Sequence, residues 1–361
     1  MRFYCTKSGL FFIALALAMF NVSTVGNLYA QSVKGLFLSS YKVKPGVPGA
    51  RVAVVTDATK AKLKVRLDRD TSGSFKIVKG NRLKLKPGRV LPPGAEEFEI
   101  SVSAGSRKKD FVLVKDEFIR NKVVAHRGAW KDAAVPQNSL KSEELAIKAG
   151  CEAAEFDIWL SADGIPVVAH DAIIGGKKIE ESTAMELQQV HLGGGEYVPT
   201  LEQYLRAIKG QNKTRLFLEI KTSGKGQERC LELAEKAVDM VHALKVQAWV
   251  DYISFNYGVL QHIAALDPFA QTAYLWGDRD PATVAKDGLT GLDYPIEHFK
   301  KNPSWIADAK KLGLSVNSWT INQEAPMLDL LKWDVDYITT DEPLKLLKLI
   351  EDRKNATAAG N

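Results

Sequence analysis

Glu155 and Asp157 are acidic residues two positions apart within an otherwise apolar run that includes Phe156 and Ile158. At this spacing both carboxylates point to the same side of a β-strand. Adjacent carboxylates repel each other unless one keeps a proton or a cation lies between them. Oxygen ligands of this kind suit Ca²⁺ or Mg²⁺. The spacing therefore predicts a divalent-cation site, and a solvated acidic strand end is the alternative.

A second apolar run repeats this pattern, with Glu219 and Lys221 on either side of Ile220. A charged pair that faces one way inside an apolar strand costs free energy unless it has partners. A third metal-binding carboxylate and a phosphate-binding ammonium group would supply those partners. A buried ion pair between Glu219 and Lys221 is the alternative.

His126 and His170 each follow a Val-Val-Ala run, which places two imidazoles at predicted strand ends. Two histidines beside a metal site can cleave a phosphodiester. One takes a proton from the attacking hydroxyl, and the other gives a proton to the leaving alkoxide. Arg127 offers a planar fork for phosphate oxygens, next to Gly128, where the backbone can approach closely. A single histidine at such a position is more typical of a structural role, and Arg127 alone could be a surface residue.

Strand-like and helical runs that alternate after residue 119 must position these side chains. Strands are predicted at residues 123–125, 154–159, 216–220, 252–255, 272–275, 291–294, 314–319 and 337–340, and helices at 139–148, 201–208 and 231–244. This alternation over residues 119–352 predicts an α/β fold, a (β/α)8 TIM barrel, with catalytic residues at the carboxyl ends of its strands. A doubly wound sheet is the alternative.

Residues 31–118 have a different pattern, of short runs that alternate with period two and are separated by Gly and Pro turns. This pattern predicts a small all-β sandwich domain, and the segment resembles a cadherin-like or immunoglobulin-like module. It holds 19 lysines and arginines against nine aspartates and glutamates, whereas the rest of the mature chain is acidic. Because Lys60, Lys62, Lys64 and Arg66 alternate with apolar residues, they would share one solvated face.

The two ends of the chain are predicted to lie outside both domains. Residues 1–30 join basic residues, a short apolar stretch and a small-residue exit, which predicts a secretory signal peptide and an exported, periplasmic or secreted protein. An uncleaved anchor is the alternative. Residues 353–361 are predicted to be a disordered tail. Of the cysteines left after processing, Cys151 and Cys230 are interpreted as buried thiols rather than a disulfide.

A series of short motifs covers residues 120–350 in a fixed order. They are His126-Arg127-Gly128, Pro136 with Asn138-Ser139, Glu155 with Asp157, Asp163-Gly164, His170-Asp171, Pro199-Thr200-Leu201-Glu202, Leu218-Glu219-Ile220-Lys221, Ser254-Phe255, Trp319-Thr320 and Thr340-Asp341-Glu342-Pro343. Their order resembles the glycerophosphodiester phosphodiesterase family. The resemblance implies that Glu155, Asp157 and Glu219 hold one divalent cation, Ca²⁺ or Mg²⁺.

The same resemblance implies that His126 and His170 are the acid–base pair, that Arg127 and Lys221 hold the phosphate, and that Trp319 forms a wall on the glycerol side. Gln137 departs from the family, which usually has glutamate there, so Arg127 would have a neutral hydrogen-bond partner. The stretch 172–197 is also short for the insertion that shapes the substrate mouth in many relatives.

The predicted activity is metal-dependent hydrolysis of glycerophosphodiesters to glycerol phosphate and an alcohol, with a small-molecule substrate and no nucleic-acid partner. One alternative is a catalytically lapsed envelope-binding protein, but such a protein should have lost some of the two histidines and three carboxylates. Another is a phospholipase D-like enzyme acting on lipid head groups, which would need an apolar rim that the sequence does not indicate. The basic sandwich could contact an anionic envelope surface weakly, or its charge could serve solubility alone.

Overall fold

The computed structural model describes residues 35–47, 49–59, 63–89, 91 and 97–359. The predicted signal peptide, residues 1–30, lies outside the described residues, as do Lys60 and Lys62. Across the part of the chain that is described, none of the helices combines the length and hydropathy that a bilayer crossing requires.

The amino-terminal segment forms two four-stranded sheets, as its period-two pattern predicts. The strands are β1 (Phe37–Leu38), β2 (Lys42–Val43), β3 (Arg51–Thr56), β4 (Val65–Asp70), β5 (Phe75–Val78), β6 (Arg82–Leu85), β7 (Glu97–Ala104) and β8 (Arg107–Lys115). Their orders are β1-β3-β6-β5 and β2-β8-β7-β4. Inward-facing aromatic side chains fill the space between the sheets, where Phe75 and Phe98 meet edge to face at 5.8 Å.

Eight parallel strands then close into a barrel. They are β9 (Val123–Ala125), β10 (Ala153–Leu160), β16 (Arg215–Ile220), β17 (Val250–Ser254), β18 (Gln271–Tyr274), β19 (Gly291–Pro295), β20 (Ser315–Trp319) and β21 (Tyr337–Thr340). Closure is complete because β9 pairs with β10 on one side and with β21 on the other. A doubly wound sheet would leave both edges open, so the structure has the predicted TIM barrel.

Three further strand pairings form in the part of the chain that follows β10. β11 (Pro166–Val168) lies antiparallel to β10, and two small hairpins follow. The hairpins are β12 (Ile173–Ile174) with β13 (Lys177–Lys178), and β14 (His191–Gly193) with β15 (Glu196–Tyr197). A 3₁₀ turn at Ile179–Glu181 lies between them. The stretch 172–197, which the sequence analysis described as short, therefore folds into two hairpins and a 3₁₀ turn on the carboxyl side of the barrel.

Helices cover the outside of the barrel. They are α1 (Leu140–Ala149), α2 (Ala184–Leu187), α3 (Leu201–Ala207), α4 (Gln227–Leu244), α5 (Tyr257–Leu266), α6 (Pro281–Lys286), α7 (Ile296–Lys301), α8 (Trp305–Lys311), α9 (Glu324–Lys332) and α10 (Pro343–Ala359). The prediction of a disordered tail from residue 353 was wrong for residues 353–359, because α10 continues through them. Alanine favours helix strongly, and Ala356, Ala358 and Ala359 can extend it.

The sandwich lies against the floor of the barrel, the end at which the parallel strands begin. Phe118 meets Trp249, just before β17, edge to face at 6.3 Å. Nearby, the Asn212 side chain, before β16, donates to the Lys115 carbonyl oxygen at 3.0 Å. Buried apolar side chains of both regions form one continuous cluster. The sandwich is thus remote from the carboxyl ends of the strands, where the predicted chemistry lies.

Cys151 and Cys230 are both buried free thiols, as the sequence interpretation predicted. His242 also has a structural role: its Nε2 lies 2.8 Å from Asp267 Oδ2, and its Nδ1 lies 3.1 Å from the Lys109 ammonium of the sandwich. The interface between sandwich and barrel therefore contains polar as well as apolar contacts.

Candidate active site

Glu155, Asp157 and Glu219 converge at the carboxyl ends of two neighbouring strands. β10 and β16 pair in parallel with Asp157 opposite Glu219, and Glu155 lies two residues earlier on the same face as Asp157. One carboxylate oxygen from each residue lies within 4.8 Å of the other two. All three residues are buried. The strand register therefore assembles the cluster that the residue spacing predicted.

The three carboxyl groups of this cluster differ in the direction in which their pKa values are shifted. Burial, followed by repulsion from Asp157 and Glu219, raises the pKa of Glu155 well above its ordinary value. Burial and the Asp157 charge raise the pKa of Glu219 to about 8. Burial alone would also raise the pKa of Asp157, but the neighbouring Lys221 and His170 charges lower it overall. Two of the three carboxylates thus hold protons strongly when no further cation is near.

The donor set fits a divalent metal ion. Glu155 Oε1 is buried and has no hydrogen-bond partner among the residues that the structure describes. The Lys221 ammonium contacts Asp157 Oδ1 and Glu219 Oε1, each at 2.9 Å, and so neutralises only part of the negative charge. Clustered hard oxygen ligands are what Ca²⁺ and Mg²⁺ prefer. A cation among the three carboxylates would satisfy the orphan oxygen and remove the repulsion.

His126 follows β9 directly and is held by a carboxylate that is distant in sequence. Its Nδ1 lies 2.7 Å from Asp341 Oδ1, and the Asn322 amide donates to Asp341 Oδ2 at 2.7 Å. His126 Nε2 lies 3.9 Å from Glu155 Oε2, so it faces the carboxylate cluster. A carboxylate at Nδ1 stabilises a proton there and leaves Nε2 as the nitrogen that can exchange one.

His170 has a similar arrangement on the other side of the cluster. Its Nδ1 lies 2.7 Å from Asp171 Oδ1, and the Trp159 indole donates to its carbonyl oxygen at 3.0 Å. Burial lowers the pKa of His170 below its ordinary value. Both predicted histidines therefore lie beside the three carboxylates, each oriented by an aspartate.

Arg127 adopts a left-handed backbone conformation, with φ +56°, that turns the chain across the barrel mouth. Its backbone N–H donates to Glu155 Oε2 at 2.9 Å, and its Nη1 donates to Gln137 Oε1 at 2.9 Å. Gly128 follows with φ +82°, where an added Cβ would lie 2.6 Å from a backbone atom of Ser142. The neutral Gln137 is thus a hydrogen-bond partner of the guanidinium, as the sequence analysis expected.

These side chains surround a small cavity, which we call the closed cavity, of about 120 Å³. Seven of the eight predicted site residues line it: His126, Arg127, Glu155, His170, Glu219, Lys221 and Trp319. The eighth, Asp157, lies behind this wall, and the Asn138 amide donates to its Oδ2 at 2.8 Å. The Trp319 indole donates to the Asp293 carbonyl oxygen at 2.7 Å, which fixes its ring at the wall.

Sequence reasoning missed four residues that support the site: Asn138, Asp293, Asn322 and Asp341. Asp341 stood in a quoted motif without a role, and Asn138 likewise. Asp293 interrupts an apolar strand as Glu219 does, a signal that could have identified it. Burial raises its pKa to about 7, and its Oδ1 has no hydrogen-bond partner within the described chain. Nothing in the sequence distinguished Asn322.

Comparisons with known proteins point to one family. A model of the "Glycerophosphoryl diester phosphodiesterase family" matches residues 126–345. A glycerophosphodiester phosphodiesterase of Caldanaerobacter subterraneus is 28% identical over 244 residues, which cover 63% of this chain and 97% of the relative.

Solved structures give the same result. The crystal structure of a glycerophosphodiester phosphodiesterase from Parabacteroides distasonis is 39% identical, with a TM-score of 0.63, and the match covers 64% of this chain and 98% of that one. An Oleispira antarctica phosphodiesterase, solved with the product sn-glycerol-3-phosphate, is 27% identical with a TM-score of 0.55; the match covers 64% of this chain and 96% of that one.

Proposed function

The chain belongs to the glycerophosphoryl diester phosphodiesterase family, and we propose that it hydrolyses glycerophosphodiesters with one divalent cation and a pair of histidines. The family assignment makes it a phosphodiesterase that acts on glycerophosphodiesters. The observation that carries the mechanism is the convergence of three buried carboxylates between two aspartate-held histidines. A small-molecule substrate is supported by the Oleispira antarctica structure, which contains sn-glycerol-3-phosphate.

Glu155, Asp157 and Glu219 would hold the cation, which when bound neutralises phosphate charge and lowers the pKa of an attacking hydroxyl or water. Lys221 already contacts two of these carboxylates and lines the cavity, so its ammonium can bind a phosphate oxygen beside them. Arg127 presents its guanidinium to the same cavity. Together they give the phosphate two positively charged partners from the protein itself.

The two histidines differ in the cavities that they line. A second, wider cavity of about 680 Å³, which we call the open cavity, shares His170, Glu219, Lys221 and Phe255 with the closed cavity. His126 lines only the closed cavity. We therefore assign His170 as the acid that protonates the leaving alkoxide in the open cavity. His126 is the base that takes the proton of the attacking hydroxyl or water, while the bond from phosphorus to the leaving oxygen breaks.

The closed cavity is suited to the glycerol arm of the substrate. Trp319 supplies an apolar wall, and Asp293 supplies a buried carboxyl group with an unused oxygen. A glycerol hydroxyl that donates to Asp293 Oδ1 would satisfy that oxygen. The small volume admits a three-carbon arm more readily than a larger head group.

The two alternative functions fit less well. A lapsed binding protein would have little use for five acid–base and metal-binding side chains, all of which converge here. A lipid head-group enzyme would need an apolar rim. The rim of the open cavity does expose Trp276, contrary to the sequence expectation, but Asp171 and Asp278 line the same cavity. A charged rim suits water-soluble diesters.

A phosphodiesterase assay tests the proposal directly. Purified protein, stripped with chelator, should release glycerol phosphate from glycerophosphocholine only after Ca²⁺ or Mg²⁺ is added. Full activity in excess chelator would contradict the metal-dependent mechanism. Absence of cleavage with every divalent cation and diester tried would contradict the hydrolytic function.

The metal-free protein should lose thermal stability as pH rises from about 5, near the ordinary pKa of a glutamate, to about 8. Because the pKa of Glu219 is raised to about 8 in the folded chain, the folded state binds protons more tightly than the unfolded state does. That stability is lost as pH rises through the folded-state pKa. A divalent cation should restore it, so the gain in Tm on adding Ca²⁺ should be larger at the higher pH. An equal gain in Tm at the lower and the higher pH would contradict this expectation.

We also propose that the protein is exported and that its basic sandwich contacts anionic envelope surfaces weakly. Arg66 keeps 80% of its side chain exposed on β4 although it pairs with Asp68. Because the sandwich lies at the floor of the barrel, such contact would leave the mouth open to solution. The mature chain should bind anionic vesicles at about 20 mM salt and dissociate by about 200 mM. Equal binding to neutral vesicles, or none at low salt, would contradict the contact.

A further inference from the structure

The open cavity has an aromatic wall. Trp159, Phe255, Tyr274 and Trp276 line it beside the shared residues of the catalytic site. Phe255 links the two cavities: its ring meets Trp276 at 5.7 Å and Trp319 at 5.4 Å, both edge to face. The site thus continues from the glycerol side, past the catalytic groups, onto a second aromatic surface.

Trp276 is unusual among these rings because it remains 60% exposed. Trp159, by contrast, is fixed next to the proposed acid by its hydrogen bond to the His170 carbonyl oxygen. Among the residues that the structure describes, no lysine or arginine stacks on either indole; Arg279 lies over Tyr257 instead. Two indole rings beside the leaving-group position therefore lack a cation that could stack on them.

The charge of the open cavity is negative. Apart from Glu219 and Lys221, which belong to the metal and phosphate site, its charged lining residues are Asp171 and Asp278. The Asp278 carboxylate keeps half of its side chain exposed, 3.7 Å from the Arg279 guanidinium. Within the described chain, Lys221 is the one lysine or arginine on this wall. Anionic head groups would be repelled here, whereas cationic ones would be attracted.

We infer that the open cavity binds a leaving alcohol that carries a quaternary ammonium group, so that the enzyme prefers choline-type glycerophosphodiesters. The inference rests on the proposed function, which places the leaving arm in this cavity beside His170. An ammonium group over the face of Trp159 or Trp276 gains cation–π attraction, best with tryptophan. Asp171 and Asp278 add a long-range contribution of the same sign.

A neutral polyol is the competing ligand, because aromatic rings and carboxylates can also bind hydroxyl groups. Acyl chains are a poorer fit, since two carboxylates line the cavity. Cationic, apolar neutral and polyol leaving groups differ in charge and hydrogen bonding. Glycerophosphodiesters that carry each kind of leaving group can therefore distinguish these possibilities. The carbon isostere of choline, 3,3-dimethylbutan-1-ol, has the same shape without the charge.

The experiment compares kcat/KM of the cation-loaded enzyme for the glycerol phosphate diesters of choline, 3,3-dimethylbutanol and inositol. We expect the choline diester to be preferred over its carbon isostere by about tenfold, between the few-fold effect of an exposed cation–π contact and the roughly 30-fold effect of a desolvated one. Equal values for choline and its isostere, or a preference for inositol, would overturn the inference and leave the proposed function intact. Cleavage of none of the three would overturn the proposed function and the inference with it.

Variants of Trp276 and Asp278 test whether these residues cause the choline preference. Trp276→Ala should reduce the choline-to-isostere ratio of kcat/KM severalfold, and Trp276→Phe should restore part of it because a smaller aromatic face remains. Asp278→Asn should lower the same ratio by a smaller factor that disappears in high salt. Leu312→Ala is the matched control, since Leu312 is about as exposed, at 49%, but follows α8 on the far side of the barrel. A ratio unchanged in Trp276→Ala would contradict the assignment of that ring.

Discussion

Glu155→Gln, Asp157→Asn and Glu219→Gln should each abolish metal-dependent turnover while the barrel remains folded. Each change removes one anionic ligand from a cluster whose oxygens lie within 4.8 Å of one another. Removal of a group that only hydrogen-bonds a metal ligand already costs about 10- to 100-fold in metal affinity or activity. Removal of a ligand itself should therefore cost more. Activity measured across a Ca²⁺ or Mg²⁺ titration, with circular dichroism as the test of folding, checks this expectation.

A matched control comes from Glu143, a buried glutamate outside the site. Both of its carboxylate oxygens lack hydrogen-bond partners in the described chain, and burial raises its pKa well above the ordinary value. Glu143→Gln makes the same isosteric change on a carboxyl group that is already neutral, so it should preserve metal dependence. Full activity in metal-saturated Glu219→Gln would remove Glu219 from the ligand set and leave it as an ion-pair partner of Lys221.

The Glu155 and Asp157 variants should differ in the stability of the metal-free protein. Glu155 already holds a proton in the metal-free protein, because burial and two neighbouring carboxylates raise its pKa, so the neutral glutamine should leave Tm nearly unchanged. Asp157 instead accepts from Asn138 and Lys221, and its replacement leaves Lys221 with less compensation. That change should lower Tm. Loss of turnover in both variants, with a lower Tm only in Asp157→Asn, would separate catalytic loss from unfolding.

Sequence reasoning could assemble the centre of the site because period two and strand order determine it. Glu155 and Asp157 must share a face, and parallel neighbours bring Glu219 to the same end. Strand bounds were predicted to within a few residues, for example 154–159 against Ala153–Leu160. Charged residues inside apolar strands therefore indicate the position of the site from the sequence alone.

Contacts between distant segments could not be predicted in this way. Asp341 reaches His126 across 215 positions, and the contact depends on how β21 closes against β9. The strands β1 and β2 are two residues long, too short to show a period. Docking of the sandwich on the barrel floor depends on the complementary surfaces around Phe118 and Trp249, whose pairing no local pattern reveals.

His126→Ala and His170→Ala should each lower turnover by about 100-fold or more, the contribution typical of a positioned acid or base. In the unchanged enzyme, activity against pH should be bell-shaped if both imidazoles exchange protons. Burial lowers the pKa of His170, and the bound phosphate and cation will shift it further, so the shape rather than the midpoint is the test. A flat profile between about pH 5 and 9, with chemistry rate-limiting, would argue against the pair.

The leaving group distinguishes the acid from the base. His170 lines the open cavity and His126 does not, so His170 should be needed only when the departing oxygen requires a proton. With the p-nitrophenyl diester of glycerol phosphate, whose leaving group is stable as an anion, His170→Ala should regain most of its lost kcat, whereas His126→Ala should remain impaired. The reverse result would exchange the two roles. Equal impairment of both variants would mean that neither histidine protonates the leaving oxygen, because the one that does so must become dispensable with this substrate.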